Sequence, residues 1–185
     1  MDRKLLGAVT LTIITAGLCR AGGQSGAVVR LQSGGAQPIE LSVKPVRVAL
    51  NPPDRPAAAD EWSRILSRLA PEHHLVLVLS DLRTDEPPGT LVNVYLNLPE
   101  SLAPRPDDTH LVGSVNYYSV VQPRRAESPG PSPAHERRFD ITSVVRGLVG
   151  SNGMTGAPSV TLAATRPPTL GSRAAIGRIA VVEED

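Results

Sequence analysis

Leu91-Val92-Asn93-Val94-Tyr95-Leu96-Asn97-Leu98, closed by Pro99, is the stretch that decides the fold. Five aliphatic residues and a tyrosine are interleaved with two asparagines, a pattern that reads as a β-strand with a proline stop. Similar segments lie on either side of it. Upstream, Leu75 to Leu79 is a continuous apolar run with two β-branched residues, as expected of a buried strand. Further upstream, Ile39, Leu41 and Val43 alternate with polar partners, and Val46, Val48 and Leu50 repeat the alternation after Pro45. Asn51-Pro52-Pro53 ends that segment. Downstream, Leu111 to Val121 is interrupted by Gly113 and carries Tyr117 and Tyr118; Val160 to Ala163 and Ile176 to Val182 are the last strands. The segments between them, Asp81 to Gly89 with its Pro87-Pro88-Gly89 end and the proline-rich stretch to Asp108, read as turns. Strands recur without βαβ alternation and no internal repeat is visible. The expected fold is all-β, an antiparallel sandwich of the jelly-roll or immunoglobulin-like kind with two short helices; the alternative is α+β.

The two helices announce themselves by period. Trp62, Ile65, Leu66 and Leu69 stand at i, i+3, i+4 and i+7 after Asp60, the N-cap candidate, and Pro71 stops the run. Trp62, the single tryptophan, reads as a core anchor within this stripe rather than a ligand platform. Asp140 is the N-cap candidate of the second helix, whose buried stripe is Ile141, Val144, Val145 and Leu148.

Composition sets the outer limits. Of 185 residues, 41% are hydrophobic and 20% charged, as in an ordinary globular domain, but aromatics are 3%, so aliphatic side chains must build the core. A formal net charge of +1 offers no broad basic field for nucleic acid. Arg124-Arg125 and Arg137-Arg138 flank a segment in which acids are interspersed and aromatics absent, which argues against a nucleic-acid surface there too. A single cysteine excludes a disulfide framework within the chain and a multi-cysteine zinc site.

Residues 1–21 read as an export signal. Arg3 and Lys4 precede the uncharged run Leu5 to Leu18, within the roughly 7–15 residues of a signal core and short of the ~20 of a membrane span. Cys19-Arg20-Ala21 supplies a cleavage site near Ala21, after which the formal charge falls from +1 to −1 and no cysteine remains. The competing reading of Cys19 as a lipid-modified residue is disfavoured by Leu18 before it, where a small residue belongs. Residues 22–37 read as a Gly-rich linker, and residues 38–185 as the β-sandwich domain. Within that domain, about 122–138 is expected to be a mobile loop, since its apolar content is too low to offset ordering entropy. The acidic end Glu183-Glu184-Asp185 is expected to be solvated. The mature protein is expected in the secreted or periplasmic space, with no membrane association after cleavage.

Chemistry-bearing constellations are sparse. His73 and His74 are neighbours on a strand entry and so point to opposite faces, a poor chelate. His110 and His135 have no second ligand at a recognisable spacing. There is no nucleophile elbow and no phosphate loop of the G-x-x-x-x-G-K type. The pairs Asp85-Glu86 and Asp107-Asp108 lie in turns, where solvated carboxylates belong. No catalytic residue, cofactor site or metal site is assigned.

The order of the later segments carries a resemblance. Val92-Asn93-Val94-Tyr95-Leu96-Asn97-Leu98-Pro99 is followed by Leu111-Val112-Gly113-Ser114-Val115-Asn116-Tyr117-Tyr118. Next come Phe139-Asp140-Ile141-Thr142-Ser143-Val144-Val145-Arg146-Gly147-Leu148, Ser159-Val160-Thr161-Leu162 and Ala175-Ile176-Gly177-Arg178-Ile179. Over residues 38–182 this resembles the C-terminal β-domain that follows the copper-binding domain in polyphenol oxidases and tyrosinases. The His-rich copper helices are missing, and the four histidines are too few for a dicopper centre of the tyrosinase type. The resemblance therefore implies an exported, non-catalytic accessory domain that docks on or shields a type-3 copper oxidase carried by another chain. Copper would enter only through that partner. In the family this domain packs beside the copper site and can shield it with a side chain, a role that would fall to Tyr117 or Tyr118; the plainer alternative for both is packing in the core. Two other functions stay open: a stand-alone exported module binding a cell-surface or protein ligand, and an enzyme with an unrecognised site involving His73, His74 or His110.

Overall fold

The computed structural model describes residues 27–35, 37–118, 120 and 135–185. The expected signal segment, Cys19 and the centre of the expected mobile loop lie outside the described residues. Among the described residues nine strands and two short helices follow one another: β1 (Val28–Ser33), β2 (Ile39–Glu40), β3 (Val46–Asn51), α1 (Glu61–Leu66), β4 (His74–Arg83), β5 (Val92–Leu96), β6 (Leu111–Val115), β7 (Arg137–Asp140), α2 (Thr142–Gly150), β8 (Ser159–Ala164) and β9 (Ala175–Glu184). All recorded pairings are antiparallel, in the order β6-β5-β8-β3-β1-β9-β4-β7, with β2 added to β9. The fold is the expected all-β sandwich with two short helices, not the α+β alternative.

The sheet bends over on itself until its two edge strands meet. Phe139 of β7 lies so close to Gly113 of β6 that a Cβ there would stand 2.7 Å from Cε1 and 2.9 Å from Cδ1 of its ring. Glycine in mid-strand here permits one edge to receive the aromatic side chain of the other. The enclosed space is filled by aliphatic residues. Leu31, Leu50, Leu75, Leu77, Leu79 and Val94 are fully buried, each worth about 1.5–3 kcal/mol relative to exposure. The sparse aromatics are used economically: Trp62, Tyr95 and Tyr117 are among the largest fully buried side chains.

Several expectations need correcting. The segment expected as linker contains β1, which is inserted between β3 and β9 with Leu31 wholly buried. Its place in the sheet is set by its two partners, β3 and the sequence-distant β9, and not by local composition. The end of the expected mobile loop, Arg137 and Arg138, belongs to β7 and pairs with Leu79 and Val78 of β4. Phe139 and Asp140 continue that strand instead of opening the helix. The segment from Ile39 to Leu50 is two strands, with Val43 exposed between them. The continuous strand expected from Leu111 to Val121 ends as β6 at Val115.

The helix caps also differ in detail. Asp60 occupies the N-cap position of α1 but makes no side-chain cap bond; its carboxylate accepts instead from Arg64 Nε at 2.9 Å, one turn on. Ile141, not Asp140, occupies the N-cap of α2. Asp140 stands one residue earlier, where its Oδ1 accepts from Thr142 N at 2.9 Å and still satisfies an amide of the first turn. The expected stripe of α1 holds in part: Trp62 and Ile65 are buried and Leu66 partly so, but the helix ends at Leu66 and Leu69 packs from the turn beyond it.

Candidate functional site

The register of the strands fixes what lies at each end of the sandwich. Arg83 pairs with Ala175, and Val92 pairs with both Val115 and Ala164. The connections 84–91 and 165–174 and the residues that follow β6 therefore gather at one end. They are laced together by the backbone: Asp85 N donates to Ser172 O at 2.9 Å, Thr169 N to Pro88 O at 2.8 Å and Thr165 N to Leu91 O at 2.9 Å. The hydroxyl of Thr84 adds a bond to Ser172 O at 2.9 Å.

The two tyrosines singled out in the sequence sit at this end and part company. Tyr117 is fully buried, and its hydroxyl donates to Ala175 O at 3.3 Å. Burial pushes its phenol well above the ordinary value. Tyr117 is thus packed in the core of this chain. Tyr118 is 64% exposed, its amide held by Asn116 Oδ1 at 2.8 Å. Leu91 and Leu170 are the other large apolar side chains exposed on these loops, Leu170 at 98%. Among the described residues this end thus offers three exposed apolar side chains on a hydrogen-bonded frame.

The histidines are each engaged separately. His73 Nδ1 lies 2.6 Å from Glu183 Oε1 and its Nε2 lies 3.1 Å from Asp185 Oδ1. His74 turns the other way, towards Asp140 at 3.5 Å, as neighbours on a strand must. His110 is buried, with Nδ1 2.7 Å from Leu96 O, and His135 O accepts from Leu82 N. Among the described residues no group of three or more His, Cys, Asp or Glu is placed to hold a metal ion. Nor does any helix among them have the length and apolarity to cross a membrane. The turn carboxylates sit as expected, Asp85 near Arg173 and Asp108 accepting from His110 N.

Glu183 corrects the expectation of a solvated acidic end. It is buried, and it accepts from Arg30 Nε at 2.6 Å as well as contacting His73, tying β1, β9 and the entry of β4 together. Burial pushes its carboxyl up, but the bonds from His73 and Arg30 and their charges outweigh burial and hold it below the ordinary 4.5. Glu183 in turn raises His73 above the ordinary 6.5, with burial opposing and the Asp185 charge assisting. The signs give two limbs. The Glu183 contribution is present above pH 4.5 and is lost as pH falls through its lowered value. The His73 contribution is complete below pH 6.5 and is lost as pH rises through its raised value. Urea unfolding across pH is expected to show greatest stability between these limbs, with His73→Gln flattening the alkaline one.

Residues 32–184 match the family model described as "Domain of unknown function (DUF7868)". The chain belongs to the DUF7868 family. No curated protein matches this DUF7868 chain. Among solved structures, it is similar to latent apple tyrosinase, with 19% identity, a TM-score of 0.49, and coverage of 80% of this chain and 28% of that one. Latent aurone synthase (polyphenol oxidase) from natural source is similar at 20% identity and a TM-score of 0.44, covering 78% of this chain and 25% of that one. The DUF7868 chain spans about a quarter of the length of these proteins.

Proposed function

We propose that this domain is an exported, non-catalytic accessory module that docks through its loop end on a type-3 copper oxidase carried by another chain. Tyr118 is the side chain it presents to that partner. The observation that carries the reading is the split between the tyrosines: on the segment whose Gly113-Ser114 motif bears the resemblance, Tyr117 is consumed by the core and Tyr118 is left exposed at the same end as Leu91 and Leu170. An amphipathic ring on a rigid frame is suited to filling the mouth of a partner's site at small entropic cost. The ordered sequence motifs support the choice of partner, and the run Leu5 to Leu18 supports export. The module itself would hold no copper.

The test recovers tagged protein from the exported fraction of its own host and measures copper in what co-purifies. The expected result is a stoichiometric His-rich chain carrying copper, whose diphenol oxidation falls when purified domain is added back. Tyr118→Ala is expected to leave stability within about 0.5 kcal/mol, as for an exposed substitution, and to relieve that inhibition. A monomer without a copper-bearing partner, and without effect on one, overturns the proposal.

A further inference from the structure

The opposite end of the sandwich, where α1 and α2 touch, carries a cleft of different chemistry. Its walls are the start of β1, the turn after β3 and α1 with the turn that follows it. It encloses about 280 Å³. Arg30, Arg55, Arg64 and Arg68 line it, against the carboxylates of Asp54 and Glu61. Glu183 and Asp60, which pair with Arg30 and Arg64, bring the carboxylates to four, so the cluster is formally balanced and its arginines are held by fixed acidic partners.

Three of the arginines are already aimed. Glu183 holds Arg30, with Nε to Oε2 at 2.6 Å. Glu61 holds Arg55 in a two-pronged pair at 2.8 and 2.7 Å, and Asp60 holds Arg64 at 2.9 Å. The side chains of Glu183 and Glu61 are 7% and 5% exposed, whereas those of Arg30 and Arg55 are 33% and 46% exposed. The carboxylates lie beneath, and the guanidinium groups above them border the cleft. A guanidinium has five N–H donors in a fixed fork, and one carboxylate occupies only part of that set. Arg68 has no side-chain hydrogen bond or ion pair among the described residues. It lies two residues past the end of α1, in the turn that follows, where all five N–H donors of its guanidinium are left for a ligand. Pro52 and Pro53 stiffen one wall, and Ile65 and Val29 give an apolar floor.

We propose that this cleft binds a tetrahedral oxyanion, phosphate or sulfate, either free or as the monoester of a body no larger than a monosaccharide. Arginines that line one cleft and are held in place by carboxylates can meet such an ion through their remaining N–H donors, with little ordering left to be done on binding. The volume lies at the lower end of small-molecule pockets and limits the size of what the anion is attached to. The site lies at the far end from Tyr118, so it does not depend on the docking reading.

The test is calorimetric titration of the whole protein with sodium phosphate and sodium sulfate, using sodium chloride at matched ionic strength as reference. Saturable one-to-one binding of at least one oxyanion is expected, with Tm rising with its concentration, as for any ligand of the native state. Arg68→Gln leaves all three ion pairs intact. It is expected to keep the ligand-free Tm and to weaken binding about tenfold, the loss of one charged contact. Arg64→Gln with Arg68→Gln is expected to weaken it about a hundredfold. Tyr118→Ala is expected to bind as the parent does, which separates this site from the docking surface. Tighter binding of a hexose 6-phosphate than of inorganic phosphate assigns the monoester; equal affinity assigns the free ion. Absence of saturable binding to either oxyanion, or unchanged affinity in the double variant, overturns the proposal.

Discussion

Asn97→Ala is expected to cost about 4 kcal/mol, a large part of the 5–15 kcal/mol that holds a domain of this kind together. Asn97 is fully buried just past the end of β5 and has φ of 50°, a left-handed conformation that asparagine tolerates better than alanine. Its Oδ1 accepts from Trp62 Nε1 at 3.0 Å and from Ser159 N at 2.8 Å, and its Nδ2 donates to Thr155 O at 3.3 Å. Truncation leaves the indole and the amide as buried donors without this acceptor, each worth about 1–3 kcal/mol, and adds backbone strain. The single tryptophan makes the measurement direct, since urea unfolding followed by Trp62 fluorescence reads the site itself. In a Trp62→Phe background, followed by circular dichroism, the same change is expected to cost about 1 kcal/mol less, because the indole donor is already gone. A midpoint shift equivalent to less than about 1 kcal/mol in the parent would show that Asn97 is replaceable by water.

Gly113→Val is expected to cost about 3 kcal/mol, at the upper end of ordinary overpacking. The new Cβ falls at 2.7 Å from the Phe139 ring, and the branched methyl groups add to the conflict. The ring can yield only by leaving the apolar cluster it packs against, so the strain falls on the closure between β6 and β7. Phe139→Ala is the diagnostic partner. In its absence Gly113→Val is expected to be nearly neutral, giving a coupling of about 3 kcal/mol. If both changes simply add, the two edges are held together by something other than this contact.

These sites also show what a sequence can and cannot disclose. Leu75 to Leu79, Val92 to Leu96 and Ile176 to Val182 are legible because most of their own side chains are apolar and buried, so the signal is local. The stripe of Trp62 and Ile65 is legible for the same reason. β1 is illegible because Gly34, Gly35 and Arg30 dilute its apolar pattern, and its burial is imposed by β3 and β9. β7 is illegible because Arg137 and Arg138 occupy both faces of its first half and Phe139 is its one apolar residue. Asn97 gives no local sign that it will be buried, since its partners come from α1 and the entry to β8. Glu183 looks like a solvated tail because Arg30, which neutralises it, is 153 residues away. The choice between Tyr117 and Tyr118 did have a signal: Tyr117 shares the strand parity of the buried Val115. Arg64 and Arg68 are visibly close in the sequence, but nothing in the sequence brings Arg30 and Arg55 to them.

The position of β9 has a consequence for how the domain is made. This last strand lies in the middle of the sheet, with β4 along one side and β1 and β2 along the other. Val28 and Glu183, 155 positions apart, are direct neighbours. A nascent chain that has not yet released residues 175–184 lacks the strand that joins one half of the sheet to the other. Local hairpins cannot substitute for it, so the nucleus must wait for pairings of high sequence separation, which close slowly. The domain is therefore expected to fold late and in one step, after synthesis of its final strand and not progressively along the chain.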